Sequence, residues 1–414
     1  MSNNMKIIYA DHSATTKVRN EVTEAMLKVL KEDFGNPSSI HQFGRKAKLY
    51  LEEARGNIAS LVNAKEDQIF FTSGGTESIN TVIFGITKMV ETGHIITTKI
   101  EHPAVKEPLE FLEQKGWNIT WLNVDKEGFI DTDELKLKIS QKGLSQQAPA
   151  LVSIIHANNE IGTIQDLKKI SKICTENNVL LHIDAVQSFG KIPIDVTDLN
   201  VDFMSMSGHK IYGPKGTGAI YIKSNNSLSP MFIGGRQENK IRPGTENVAG
   251  IFGFGTAAQL LKDEMLSNAQ KLRKLQIELM EKFSTTQNII LTGTGLNKVK
   301  ENIPHEKFVH RIPGHVSICC KDIGGESLVL QADLKGIALS SGSACSSRSL
   351  INTNHISEIK PSHVLLSCGV SENYVRGSLR VTLGKDNSED ENKYIFETIK
   401  NITEDINKKS VVLK

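Results

Sequence analysis

A glycine-rich stretch, SMSGHKIYGPKGTG at residues 205–218, is the part of the chain whose residue types most directly suggest chemistry. Lys210 closely follows Ser207 and His209, and a lysine held in a defined loop can bond covalently to a carbonyl compound. The Walker A pattern GxxxxGK[ST] is not satisfied, which argues against a nucleotide-binding module. A lone lysine beside a glycine turn is usually a surface residue, so its interpretation depends on the stretches that accompany it.

Two other polar stretches follow predicted strands. In TSGGTES, at residues 72–78, the backbone N–H groups of Gly75 and Thr76 lie at a predicted helix start, where a phosphate can bind. An ordinary serine or threonine helix cap explains this stretch equally well. In LLHIDAVQS a buried strand ends at Asp184, and a buried carboxylate needs a cationic or N–H partner. That partner is either a protonated pyridine nitrogen or a neighbouring arginine or lysine.

A phosphate site, a buried carboxylate at a strand end and Lys210 are together the groups that pyridoxal phosphate requires. The lysine forms a Schiff base with the cofactor, the carboxylate keeps the ring nitrogen protonated, and the helix start holds the phosphate. The residues alone therefore predict a pyridoxal-phosphate site.

The elements that must position these residues alternate along the chain. Short apolar strands and amphipathic helices indicate an α/β fold with a mostly parallel sheet flanked by helices. Ligands bind such sheets beyond the carboxyl ends of the strands, where the polar stretches lie. Residues 255–287 are typical of a long connecting helix, and the strands beyond it indicate a smaller α+β domain. We predict a large domain over residues 15–260 and a small domain over 261–414 together with the segment 1–14.

Composition limits the classes of function. The 414 residues are 39% hydrophobic and 23% charged, and 49 basic against 47 acidic side chains give no basic excess to indicate a nucleic-acid partner. No apolar run reaches the length of a membrane span, and the N-terminus resembles neither a signal nor a transit peptide. Five cysteines without a CxxC motif favour a reducing compartment. We expect a cytoplasmic protein with no metal site and no membrane partner.

A set of short motifs carries a more specific resemblance. In chain order they are DHSATT, FGNPSSIHQFGRKA, TSGGTESIN, EHPAV, HANNEIG, HIDAVQSFGK, SGHKIYGPKG, RPGTENVAG, SSGSACSS and GSLRVTLG. Together they resemble the cysteine desulfurases, the iron-sulfur and nitrogenase-type branch of the class V aminotransferases. The resemblance implies the fold-type I transferase architecture, pyridoxal 5'-phosphate as cofactor and L-cysteine as substrate.

The resemblance also implies roles for individual residues. Lys210 matches the Schiff-base lysine, Asp184 matches the partner of the ring nitrogen, and His102 matches an imidazole that stacks on the cofactor and transfers protons. Arg380 matches the arginine that binds the substrate carboxylate, a bidentate role that lysine does not reproduce. Asn158 matches a residue that binds both cofactor and substrate, and Thr245 matches one that family dimers contribute from the second subunit. The other cofactor-binding matches are Gly75, Thr76, Gln187, Ser207 and His209.

Cys345 matches the catalytic cysteine of the family. It lies among serines and glycines, a composition typical of an accessible loop, whereas most free cysteines are small buried hydrophobic residues. A thiol is only partly ionised at neutral pH, so nearby positive charge or the substrate must promote its deprotonation. The other cysteines, which we assign to packing or to the surface, are Cys174, Cys319, Cys320 and Cys368.

The reaction implied by the resemblance converts L-cysteine to L-alanine. Lys210 removes the α-proton, and the Cys345 thiolate takes the substrate sulfur and becomes a persulfide. The sulfur then passes to an acceptor protein such as an iron-sulfur scaffold. A homodimer with the cofactor near the subunit interface is also implied.

Other functions stay open on the sequence alone. A selenocysteine lyase shares the fold, the cofactor and most of the motifs, although SSGSAC favours a desulfurase. A plain class V aminotransferase would not need Cys345. A non-catalytic, partner-binding relative would have lost cofactor residues, and here every expected one is present.

Overall fold

The computed structural model describes residues 7–89, 92–141, 150–224, 228–301, 310–342 and 361–412. Within these segments the central element is a seven-stranded sheet. A short strand, β1 (Ile8–Tyr9), precedes this sheet in the chain and is not part of it. The seven strands of the sheet are β2 (Ile69–Thr72), β3 (His94–Thr98), β4 (Asn118–Leu122), β5 (Leu151–Ile155), β6 (Leu180–Asp184), β7 (Phe203–Ser207) and β8 (Gly218–Ile222). They lie side by side in the order β2, β8, β7, β6, β5, β3, β4, and β8 runs antiparallel to the other six strands of this sheet. The predicted mostly parallel sheet is confirmed.

Helices cover both faces of this sheet. They are α1 (Asn20–Lys31), α2 (Gln42–Leu61), α3 (Gly75–Thr87), α4 (Pro103–Gln114), α5 (Thr132–Ser140), α6 (Leu167–Glu176) and α7 (Val248–Ser284). Successive strand residues point to opposite faces, so Ile95 packs in the core with α3 and α4 while Ile96 packs in the core with α2, α6 and α7. In the same way, Phe203 packs in the core with α3 and α4, and Met204 packs in the core on the opposite face. Among the described residues, no helix is both long and apolar enough to cross a membrane.

One edge of the sheet collects the strand ends that the sequence singles out. Asp184, the last residue of β6, pairs with Ser205 in β7, and Ser207, the last residue of β7, pairs with Gly218. Gly218 also pairs with Thr72, the last residue of β2. Because β2, β6 and β7 are parallel to one another, their carboxyl ends and the start of α3 meet at this edge.

A smaller set of elements forms a second core. Its strands are β9 (Ile289–Leu291), β10 (His315–Cys320), β11 (Ile337–Ala338) and β12 (Ser378–Thr382), and its helices are α8 (Leu296–Lys300), α9 (Gly325–Asp333), α10 (His363–Ser367), α11 (Glu372–Val375) and α12 (Glu389–Val412). Strands β12, β10 and β9 form an antiparallel sheet, and β1 pairs with β11. The predicted small α+β unit is confirmed as an architecture, and β1 at the N-terminus belongs to it.

The helix α7 joins the two cores without a break. Its first part contributes Phe254 and Leu261 to the core under the main sheet, and its last part contributes Leu275 and Phe283 to the second core. The predicted division between 15–260 and 261–414 therefore falls inside one continuous helix, and it stays a prediction.

Candidate active site

A cavity of about 800 Å³ lies at the carboxyl edge of the main sheet. The chain segments that line it come from both sets of elements. Most of the predicted site residues line it, namely Gly75, Thr76, His102, Asp184, Gln187, Ser207, His209, Lys210 and Arg380. Residues separated by some 300 positions in sequence are thus brought to one place, as ligand sites of α/β sheets require.

Lys210 ends a single helical turn, Gly208–Lys210, that directly follows β7. Its Nζ donates hydrogen bonds to the backbone oxygens of Ser13, at 2.6 Å, and Ala14, at 2.8 Å. The DHSATT segment therefore crosses to the lysine and fixes the direction of its side chain. This arrangement places the amine at the wall of the cavity.

The start of α3 forms a second part of the cavity wall. Gly74, at the N-cap, has φ of 155°, a conformation that residues with a side chain rarely adopt. A Cβ at Gly75 would lie 2.6 Å from the Val186 side chain, so the close approach of this backbone requires glycine. The first backbone N–H groups of a helix have no partner within it, and here those of Gly75 and Thr76 belong to residues that line the cavity.

Ser207 and His209 line the same wall. The Ser207 side chain is 1% exposed, and its Oγ has no hydrogen-bond partner among the described residues. The His209 Nδ1 lies 3.1 Å from Thr15 Oγ1. Burial, followed by the charges of nearby lysines, lowers the pKa of His209 to about 4, so it is neutral at physiological pH. A buried hydroxyl group without a partner and a neutral imidazole suit the oxygens of a phosphate.

Asp184 provides a buried carboxylate at the end of β6. Its Oδ1 accepts the backbone N–H of Val186 at 2.9 Å. Burial raises the pKa of Asp184 to about 6, against the opposing effects of that hydrogen bond and of the Lys210 charge. A cationic N–H group in the cavity would stabilise the carboxylate form and lower the pKa again.

His102 caps α4, and its Nδ1 accepts the backbone N–H of Ala104 at 3.0 Å. Burial is the main cause that lowers the pKa of His102 to about 4, and the charge of Lys210 acts in the same direction. The neutral ring therefore carries its proton on Nε2, because Nδ1 is an acceptor. The side chain lines the cavity as a fixed neutral imidazole.

Arg380 is buried, not solvated, in the middle of β12. Its Nη1 donates to the backbone oxygen of Asn159 at 2.9 Å, and its Nη2 donates to Asp11 Oδ1 at 3.1 Å. The Nε has no partner among the described residues. Asp11 also accepts a hydrogen bond from Ser340, so it holds the guanidinium in place while leaving donors for an anion.

Three predicted residues have distinct placements. Asn158 is fully buried and does not line the cavity, whereas the adjacent Asn159 does. The Asn158 Nδ2 donates to the backbone oxygen of Ile100, and its Oδ1 accepts two backbone N–H groups. Thr245 is exposed and lies outside this cavity. Cys345 lies outside the described residues. The roles assigned to all three stay predictions.

The structure adds a carboxyl group that the sequence reading missed. Glu160 lines the cavity and its Oε2 accepts a hydrogen bond from Ser362 at 2.5 Å. Burial raises the pKa of Glu160 to about 7, although Ser362 and the Arg380 charge oppose the shift. Glu160 belongs to the HANNEIG motif, so the signal was present, but the motif alone does not tell which of its polar residues faces the cavity.

The described cysteines are unsuited to nucleophilic chemistry. Cys174, Cys319, Cys320 and Cys368 are free and buried. Burial raises the pKa of each thiol, to about 12 for Cys174 and about 11 for Cys320. A thiol must ionise to act as a nucleophile, so these four side chains serve as packing.

Comparison with known proteins agrees with this geometry. The pattern of the class-V aminotransferases matches residues 8–394. The chain belongs to the class-V aminotransferase family. The cysteine desulfurase IscS of Dictyoglomus turgidum is 44% identical over 399 residues, which cover 96% of this chain and 94% of that protein.

Solved structures of related proteins share the fold. A NifS-like protein superposes with a TM-score of 0.83 at 33% identity, over 96% of this chain and 99% of its own. SspA, solved in complex with cysteine, superposes with a TM-score of 0.74 at 31% identity, over 92% of this chain and 100% of its own. The fold-type I transferase architecture is confirmed.

Class-V enzymes depend on pyridoxal phosphate, and the cavity residues fit this cofactor. The unpartnered Ser207 hydroxyl and the glycine backbone at the start of α3 suit the phosphate. The Asp184 carboxyl, whose pKa is raised by burial, suits a protonated ring nitrogen. Lys210 lines the same cavity, and its charge acts on the Asp184 carboxyl group.

Proposed function

We propose that this class-V enzyme is a pyridoxal-phosphate-dependent cysteine desulfurase that converts L-cysteine to L-alanine and transfers the sulfur to its own Cys345. The observation that carries the proposal is one cavity lined by Lys210, Asp184, His102 and Arg380, in a chain whose relatives are named cysteine desulfurases. When bound, the cofactor would withdraw electrons from the substrate α-carbon, so that its proton becomes acidic.

The residues of this chain would divide the remaining work. Arg380, held by Asp11, binds the substrate carboxylate and fixes the orientation of the amino acid. Lys210 Nζ takes the α-proton. The neutral His102, with its proton on Nε2, serves as the acid or base for protons beyond the reach of Lys210.

Sulfur transfer conserves atoms without an external oxidant. The Cys345 thiolate attacks the substrate sulfur, the carbon–sulfur bond breaks and a sulfur–sulfur bond forms. The three-carbon product gains a proton and leaves as alanine, and the enzyme retains a persulfide. The persulfide sulfur then passes to a reductant or to an acceptor protein, for which we propose an iron-sulfur scaffold.

The test is a measurement of alanine and sulfide made from L-cysteine in the presence of a thiol reductant, with the cofactor spectrum recorded on the same sample. We expect the two products in equal amounts. Consumption of selenocysteine with no alanine from cysteine would instead identify a selenocysteine lyase. Purified protein that acquires no Schiff-base absorbance with added cofactor would contradict the proposal entirely.

Replacing Asp184 by asparagine is predicted to lower kcat about a hundredfold or more. The amide cannot balance a protonated ring nitrogen, and removal of one partner of a buried ion pair is costly. Steady-state alanine production and the cofactor spectrum would measure the change. Asp33→Asn is the matched control, because Asp33 is equally buried but pairs with Lys46 outside the cavity. An equal loss of kcat in both variants would contradict a specific role.

Replacing Arg380 by lysine is predicted to raise KM for L-cysteine about tenfold or more, with a smaller change in kcat. Lysine keeps the charge but loses the planar fork that pairs with a carboxylate. The measurement is KM from initial rates of alanine formation. Arg376→Lys, at an exposed position just before the same strand, should keep the KM of the wild type. An unchanged KM in the Arg380 variant would remove Arg380 from substrate binding.

We also propose a homodimer in a reducing compartment such as the cytoplasm. Thr245 is exposed in the single chain, which suits a residue that acts in a second subunit. Exposed apolar side chains provide a surface for such contact, among them Phe34, Ile40, Phe43 and Ile233. The free thiols of the described cysteines fit a reducing environment.

A further inference from the structure

A further lysine, Lys191, contacts Gln187 in the cavity wall and has no part in the function proposed above. It lies in the turn after β6, within the HIDAVQSFGK motif. With Lys210 it lines a small cavity of about 40 Å³ on the side of Lys210 that faces His12 and His315. Neither the nucleophile nor the phosphate site requires a cation at this position.

The surroundings of Lys191 oppose a positive charge. Among the described residues, no carboxylate lies within ion-pair distance of its Nζ. The charged or titratable groups that interact electrostatically with Lys191 are Lys210, Arg380, His12, His209 and His315. Burial and then the charges of Lys210 and Arg380 lower the pKa of Lys191 to about 7. A lysine kept in such a place at a cost in stability indicates a specific contact.

That contact is a hydrogen bond from Lys191 Nζ to Gln187 Oε1, at 2.9 Å. Gln187 Nε2 in turn donates to the backbone oxygen of Ser13 at 2.8 Å, and the same oxygen accepts from Lys210 Nζ at 2.6 Å. The ammonium form of lysine has donors only, and the Ser13 carbonyl oxygen is an acceptor only, so both contacts favour the amide orientation with its oxygen toward Lys191. The nitrogen end must then face Ser13 and the cavity that Gln187 lines.

We propose that Lys191 is a positioning residue that holds the Gln187 amide with its N–H groups toward the cavity and thereby aligns Gln187, Ser13 and Lys210. This inference rests on the proposed function, because the second amide N–H would serve an acceptor oxygen of the bound cofactor. Without Lys191 the orientation of the amide depends on its single hydrogen bond to Ser13, and a rotation by half a turn becomes easier. Its oxygen would then meet the Ser13 oxygen, and the carbonyl that orients Lys210 would shift.

The test compares the holoenzyme of the wild type with Lys191→Met, which keeps the aliphatic stem, and Lys191→Arg, which keeps the donor. Absorbance of the bound cofactor is titrated with pH, and kcat and KM for L-cysteine are measured on the same preparations. For Lys191→Met we expect the titration midpoint to rise by about one pH unit and kcat to fall about tenfold, with KM within about twofold. Lys191→Arg should restore both readouts to within about twofold of the wild type.

A control isolates this effect from loss of surface charge. Lys215→Met removes an exposed lysine from the loop that contains Lys210, and the charge of Lys215 also lowers the pKa of His209. This variant should leave the titration midpoint and kcat unchanged. The thermal midpoint of each variant without cofactor shows whether it is folded. If Lys191→Met is folded and titrates like the wild type, or if the arginine variant fails as badly as the methionine variant, the inference is wrong. If the wild type makes no alanine, the proposed function fails, and the spectral titration still decides the role of Lys191.

Discussion

Replacing Lys210 by alanine is expected to lower alanine production from L-cysteine about a thousandfold or more. The variant loses the amine that we propose as the cofactor-bonding group and as the base, which Ser13 and Ala14 hold at the cavity wall. Base removal alone often costs about two to four orders of magnitude. Borohydride reduction followed by peptide mass analysis would show the cofactor attached to the Lys210 peptide in the wild type and absent from the variant.

Two controls make the Lys210 experiment specific. Lys215→Ala, in the same loop but exposed, should keep both attachment and turnover. Exchange of an added amino acid with bound cofactor would show that the Lys210 variant still has an assembled cavity. Borohydride attachment at a lysine other than Lys210 would overturn the assignment.

Replacing Cys345 by alanine is expected to abolish sulfide and alanine formation together, by about a thousandfold or more, while the cofactor spectrum is retained. The substrate sulfur has then no thiolate to receive it, whereas the residues that hold the cofactor are untouched. The measurement is paired product formation, with mass analysis of the wild-type protein for one added sulfur on the Cys345 peptide.

Cys174→Ala is the matched control for the Cys345 variant. Cys174 is buried with a raised pKa, so its loss should leave turnover per folded molecule unchanged and lower the free energy of unfolding by about 1 kcal/mol. If the Cys345 variant makes alanine from L-cysteine at the rate of the wild type, the sulfur takes another route. A transamination product from that variant would favour a plain class-V aminotransferase.

The sequence predicted the main sheet well because its strands are short apolar runs with polar ends. Asp184 was placed at a strand end by its position after such a run, and β6 ends at this residue. The three- and four-residue spacing of Ile79, Val82, Ile83, Ile86, Met89 and Val90 predicts one helix with a buried face. The helix α3 instead ends at Thr87, and Met89 is exposed. Apolar spacing indicated a helix there, but where a helix ends depends on the packing available to its last turn.

The finer structure of the site was beyond the sequence because it depends on contacts between distant segments. Arg380 owes its burial and orientation to Asp11, 369 positions away along the chain. The Gln187 amide owes its orientation to Lys191 on one side and to Ser13 on the other. In HANNEIG, three adjacent polar residues were available, and only the fold shows that Asn158 turns inward while Asn159 and Glu160 line the cavity.

The unbroken course of α7 restricts how this molecule can change shape. A helix of 37 residues is about 55 Å long, and its backbone dihedrals are all committed to one hydrogen-bonded ladder. The two parts of α7 pack into separate cores, and the helix between them has no break that could act as a hinge. We therefore expect access of L-cysteine to the cavity to depend on side chains at its rim, with little relative rotation of the two cores.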